Sequence, residues 1–181
     1  MGMTAEPSAE LLDRALIEEA AKKSGLLWVR RDGGRDRALW HAWVDDAVVV
    51  VGDGGEQPLD GLAEGQDVLV TLRSRDKWGR LVAFRARTEL LAPRSDAWQA
   101  AVDELKGKRL NALDHDAVEA RWAEGSRVLR LTPQGPSVEH PGAMPDSAHT
   151  AAPAPTTATT RLPIPAALPR LVLGRKRRRQ S

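Results

Sequence analysis

Six short segments of six to thirteen residues each concentrate apolar residues at strand length. They are LLWVRR (26–31), ALWHAWV (38–44), AVVVVG (47–52), QDVLVTLRS (66–74), RLVAFRARTELLA (80–92) and SRVLRLTP (126–133). Several alternate with period two: Ala38, Trp40, Ala42 and Val44 oppose Leu39, His41 and Trp43, and Val82, Phe84, Ala86 and Thr88 oppose Ala83, Arg85 and Arg87. Period two is the mark of a strand with two unlike faces. AVVVVG lacks that alternation and reads as a strand covered on both sides. Tight turns at DGGRD, at Asp45 and Asp46, and at RDKWG join neighbours as hairpins. Six short strands linked this way predict a mainly β fold with flanking helices, a six-stranded antiparallel split β-barrel, because closure removes exposed edges. An open sheet with helices on one face is the alternative. No βαβ alternation, GxGxxG, P-loop or HExxH supports a nucleotide fold or a zinc protease.

Helical spacing appears three times. Leu12, Leu16 and Ala20, widened by Ile17, place an amphipathic helix between Ala9 and Ser24, with Ser8 before it and Gly25 as the stop. Trp98, Ala101, Val102 and Leu105 share a helix face behind Ser95, an N-cap residue. A third, short helix near 114–123 carries Val118 and Trp122.

Composition divides the 181 residues near Gln134. Residues 1–135 hold 20 basic and 23 acidic side chains, a charge of −3, whereas 136–181 hold 7 and 2, a charge of +5. The overall +2 is the average of two unlike parts. Residues 136–181, rich in Pro, Ala and Thr and ending RKRRRQS, read as a disordered tail that cannot bury enough apolar surface to offset ordering. Within it, 162–174 is an apolar stretch, and 161–179 offers weak anionic contacts to nucleic acid or a membrane surface rather than a specific nucleic-acid site. Residues 1–135 then form one domain. The absence of cysteine excludes disulfides, thiolate nucleophiles and Cys-ligated metals. The acidic N-terminal stretch lacks the pattern of a signal peptide, and a cytoplasmic location is expected.

Two segments concentrate groups suited to a ligand. In DGGEQP, Gly54 and Gly55 allow close backbone approach, and Glu56 and Gln57 can address polar ring atoms or hydroxyls; the other reading is a plain surface loop. In TLRSRDKWGR, Arg73, Ser74, Arg75, Lys77 and Arg80 suit a phosphate, against the alternative of an exposed charged hairpin. Arg85 and Arg87 share a strand face that either lines a groove for an anionic ligand or is solvated or paired with Asp and Glu on a neighbouring strand. Lys106, Lys108 and Arg109 either meet a phosphate or complement a helix C-terminus. His41 is a structural histidine or a catalytic one. Trp78 either covers a ring or a dimer partner, or caps the core. No nucleophile elbow supports hydrolysis.

Together AAKKSGLLWVR, ALWHAWVDDAVVVVGDGGEQPL, VTLRSRDKWGRLVAFRARTELL, KRLNA and VLRLTP resemble actinobacterial members of the pyridoxamine 5'-phosphate oxidase-like superfamily, over roughly residues 10–134. That resemblance implies a split barrel that pairs into a homodimer and binds FMN or the deazaflavin F420 near the dimer interface. It implies a phosphate contact at Arg73, Ser74 and Lys77, with Gly54, Gly55, Glu56 and Gln57 near another part of the cofactor. The activity implied is hydride transfer to or from a small molecule, with the cofactor carrying the chemistry. A non-catalytic split-barrel module that binds a ligand or partner, and a tether acting through the basic tail, are the alternatives.

Overall fold

Ser8 and Ser95 begin two helices by the same device. Each hydroxyl accepts the backbone N–H three residues on, from Leu11 and Trp98 respectively. The computed structural model describes residues 8–76, 79–109 and 117–146. The chain divides into two units, Met1–Pro145 and Asp146–Ser181, and every element among the described residues belongs to the first. In order these are α1 (Ala9–Lys23), β1 (Leu27–Arg31), β2 (Arg37–Leu39), β3 (Ala42–Val44), β4 (Ala47–Gly52), β5 (Asp67–Arg73), β6 (Arg80–Leu90), α2 (Asp96–Lys108), α3 (Val118–Gly125) and β7 (Arg127–Glu139). Lys77, Trp78, His115 and the tail segments 161–179 and 162–174 lie outside the described residues.

The strands form one antiparallel sheet of order β2-β1-β5-β6-β7-β4-β3, curled into a split half-barrel. It has seven strands, not the six expected from the sequence. The single strand anticipated over 38–44 is broken at Trp40 and His41, and the Gln57 side chain is the reason. Its amide oxygen accepts the Trp40 N–H at 2.8 Å, and its amide nitrogen donates to the Trp40 carbonyl at 2.9 Å. A side-chain amide thus takes the place of a ladder partner, and the chain passes from pairing with β1 to pairing with β4. The alternation survives the break: Leu39 and Trp43 pack in one core, while Trp40, Ala42 and Val44 pack in the other.

Those two cores lie on opposite faces of the sheet. The inner one joins Leu27, Val29, Val48, Val50, Val68, Val70, Phe84, Leu129 and Leu131 to Ile17, Ala20 and Ala21 of α1. The outer one sets Val49, Val51 and Val128 against Trp98, Ala101, Val102 and Leu105 of α2 and Val118 and Trp122 of α3. Every residue of β4 is therefore buried, as the unbroken AVVVVG run requires. Asp45 and Asp46, both with positive φ, make the two-residue turn that joins β3 to β4.

The last strand exceeds expectation. The sequence places it at 126–133, but β7 continues to Glu139, into the segment read from its composition as lacking order. Between Arg85↔Gln134 and Ala83↔Glu139 the register shifts, and Gly135 has φ +65°. This bulge absorbs Pro136, which cannot donate to a ladder. Beyond it, the Ser137 N–H and hydroxyl donate to the Asp13 carboxylate of α1, and Arg80 meets Glu139 at 2.8 Å.

Candidate functional site

The DGGEQP loop is a structural knot. Glu56, with 6% of its side chain exposed, accepts from Trp122 Nε1 at 2.9 Å and Arg121 at 3.0 Å, and pairs with Arg109 Nε at 3.1 Å. Burial alone would raise its carboxyl pKa. The hydrogen bonds from Trp122 and Arg121 and the charges of Arg109 and Arg121 outweigh that and hold it below the usual value. Gln57 gives its remaining amide hydrogen to the Val51 carbonyl at 2.9 Å. Gly54, at φ +55°, passes so close to α3 that a Cβ there would stand 2.3 Å from the Gly125 carbonyl oxygen, and its own carbonyl accepts from Arg121. Gly55 has φ +93°. Asp53 accepts from Arg127 at 2.7 Å and from the Leu59 N–H; these bonds hold its pKa low although burial opposes them. The polar atoms of Glu56 and Gln57 are thus turned into the fold, and they fasten α2, α3, β4 and the β2–β3 break together.

Arg73 differs. The register shifts between Leu72 and Arg73, and a bulge re-aims side chains at the end of β5. The guanidinium lies over the Trp28 ring, 4.6 Å from its centroid, a cation–π contact. The Ser24 hydroxyl holds the Arg73 carbonyl at 2.9 Å. Arg73 Nε is buried and has no hydrogen-bond partner among the described residues. Beside it a cavity of about 90 Å³ is lined by Gly25, Leu26, Trp28, Arg73, Ser74 and Arg75. Ser74 shapes the following turn: its N–H bonds the Gly79 carbonyl and its hydroxyl accepts from the Asp76 N–H. Arg73 and Ser74 therefore stand together as the sequence suggested, and Lys77, their expected companion, is outside the described residues. The 53–57 loop is absent from this cavity lining.

Of the other candidates, Arg87 pairs with Asp67 at 3.0 Å, while Arg85 is exposed in a row that the register runs through Arg30, Leu69, Arg85 and Gln134. Lys106 pairs with Glu119 at 3.4 Å. His41 is 4% exposed and its Nε2 donates to the Ala21 carbonyl at 3.0 Å, leaving Nδ1 buried without a partner among the described residues. Burial lowers its pKa to about 4, assisted by the Lys108 charge and opposed by the Ala21 carbonyl. It is a neutral packing residue at physiological pH. Trp98 and Trp122 are wholly buried, and Trp40 sits 6.3 Å from Trp122 between ring centroids. Arg121 and Trp122, which hold Glu56, were not among the sequence candidates; only a buried carboxylate in need of donors would have pointed to them, and burial was not readable there. A larger groove of about 850 Å³ runs between α1 and residues 133–140; the Asp13 carboxylate on its wall is taken by Ser137. No group of three or more His, Asp or Glu suited to a metal occurs among the described residues, and no helix among them is long and apolar enough to cross a membrane.

No protein-family model matches the sequence, and no curated protein does. Solved structures do match in fold. The haem storage protein HutZ of Vibrio cholerae is 12% identical, with a TM-score of 0.51 over 67% of this chain and 89% of that one. The flavocytochrome Anf3 of Azotobacter vinelandii is 18% identical, with a TM-score of 0.44 over 85% and 87%. An FAD and haem binding protein of Mycobacterium smegmatis is 17% identical, with a TM-score of 0.43 over 84% and 92%. The chain thus shares its fold with HutZ, a curled antiparallel split half-barrel of the kind expected from the sequence but with seven strands in place of six.

Proposed function

We propose that this chain binds a flavin-type cofactor, FMN or F420, through its phosphate and serves hydride transfer to or from a small molecule, as one half of a homodimer. The observation that carries the reading is Arg73, whose buried Nε lacks a partner among the described residues beside a cavity it lines with Ser74 and Arg75. An uncompensated buried donor is costly, and an anion removes that cost. The cavity of about 90 Å³ holds roughly three waters' share of liquid volume, enough for a phosphate but not for a tricyclic ring. Arg73 would donate to that phosphate, Trp28 would fix the guanidinium plane, and the ring would lie outside the cavity. When bound, the cofactor supplies a ring that accepts or gives hydride; the chain orients it and neutralises its charge. Glu56 and Gln57 fit this group poorly, because their polar atoms are already used within the fold.

Titration of the full chain with FMN, F420 and haem, followed by absorbance and Trp fluorescence, tests the reading. FMN or F420 is expected to bind in the micromolar range or tighter, about 8 kcal/mol, and Arg73→Ala to weaken it at least about tenfold. Haem bound in preference to both, or no ligand bound at all, would sink it.

A further inference from the structure

The segment RRDGGRDR (30–37) carries four arginines in eight residues, interrupted by two glycines and two aspartates. In the fold it becomes the end of β1, its turn and the start of β2, the opposite end of β1 from Trp28 and Arg73. There it faces the loop of Asp60, Gly61 and Leu62, and the two enclose a cleft of about 370 Å³. Val29 and Leu62, 2% and 4% exposed, belong to its lining and tie it to the inner core. The Leu62 carbonyl is further held by Arg127 at 2.6 Å. Both walls are therefore anchored.

The charges around this cleft do not balance. Arg31, Arg35 and Arg37 line it, and Asp60 is the one carboxylate in the lining. Asp60 pairs with Arg37 at 2.9 Å, and the nearby Asp36 is directed to Arg30 at 3.7 Å. The exposed side chains of Arg31 and Arg35 have no hydrogen-bond or ion-pair partner among the described residues, whereas the Arg31 carbonyl accepts the Gly34 N–H. Arg31 is nonetheless placed: its guanidinium lies against two glycines. A Cβ on Gly61, at φ +74°, would stand 3.0 Å from Arg31 Cζ, and one on Gly34 would stand 2.7 Å from Arg31 Cγ. Guanidiniums gathered in one cleft focus a positive potential that draws an anion to it.

We infer that this cleft binds the phosphate group of a small phosphorylated metabolite. Arginine forks match phosphate oxygens in pairs, and three of them around one rim leave a net positive site after Asp60 is counted. The concavity favours a small molecule over a polymer, since about 370 Å³ lies at the lower end of the roughly 300–1,000 Å³ range of ligand pockets. This site shares no lining residue with the Arg73 cavity and stands independently of it.

Amide correlation spectra of the full chain, titrated with inorganic phosphate, pyrophosphate and ribose 5-phosphate, read the site directly. Saturable shifts confined to amides of residues 29–37 and 60–62 are expected, with Kd below about 1 mM for at least one probe. Arg31→Gln should weaken that binding about tenfold or more. Asp60→Asn should strengthen it a few-fold, because it removes the one lining carboxylate and releases Arg37. Arg73→Ala should leave these shifts in place, which separates this site from the cofactor reading. The inference is overturned by absent or unsaturable shifts, by binding indifferent to both Arg31→Gln and Asp60→Asn, or by a single-stranded oligonucleotide whose affinity grows with length while the small probes do not bind.

Discussion

Loop 53–57 and the two ends of β1 are built from similar materials, glycines beside charged and amide side chains, yet they settle their polar groups in opposite ways. In the loop, one carboxylate gathers Arg109, Arg121 and Trp122, and one amide replaces a strand neighbour. Around β1, Arg73 of β5 presents a buried Nε with no partner among the described residues, and Arg31 rests on glycines without a carboxylate. A glycine-rich polar segment is therefore not a ligand site by composition. What separates the two is whether the fold itself uses the donors and acceptors.

The comparison breaks most visibly at Glu56. Glu56→Gln leaves two partly buried guanidiniums without their charge partner, and should cost about 3 kcal/mol. Urea unfolding followed by Trp fluorescence measures this; a loss under about 1 kcal/mol would mean that the loop is not the fastening described.

A second probe of the saturated side is pH. His41 has its pKa lowered from 6.5 to about 4 in the fold, so the unfolded chain binds its proton first as pH falls. Its contribution is therefore fully present above about pH 6.5 and is lost as pH falls toward 4, at most about 3 kcal/mol. Glu56, also held low, begins to lose its contribution as pH falls through the usual carboxylate value of 4.5, and goes on losing it below that. Replacing His41 by Gln should flatten the stability slope between pH 6.5 and 4; an unchanged slope would assign it to other groups.

The smallest effect is expected on the unsatisfied side. Arg31→Gln should move stability by no more than about 0.5 kcal/mol, and Arg73→Gln by less than about 1 kcal/mol, the worth of its contact with Trp28. Thermal melts without added ligand check this. A loss like that of Glu56→Gln would show that these arginines serve the fold rather than a ligand.

Much of the fold could be read from local pattern. Period two located the strands, the AVVVVG run announced burial on both faces, and Ser95 marked the start of α2. What could not be read depends on residues distant in the chain. The break at Trp40 is made by Gln57, and Glu56 depends on Arg109, Arg121 and Trp122, more than fifty positions later. Residues 134–139 look unstructured because their order comes from Asp13, Ala83 and Arg80 rather than from their own composition. For the site, the arginine-serine pattern at 73–74 was visible, whereas the internal use of Glu56 and Gln57 was hidden by the same distance. The arginines of 30–37 were in plain view, but only the approach of Gly61 gives them a cleft.

The sheet order has a bearing on how such a chain is made. The last strand among the described residues, β7, is not an edge: it lies between β6 and β4, pairing Leu131 with both Val48 and Thr88. Until the ribosome has released that stretch, Val48, Val49, Val50 and Val51 have no partner along one side. A nascent chain waiting for β7 thus carries an open valine edge, the kind of surface that joins to other chains. The same residues that make the finished barrel most secure are those most in need of shelter before it is complete.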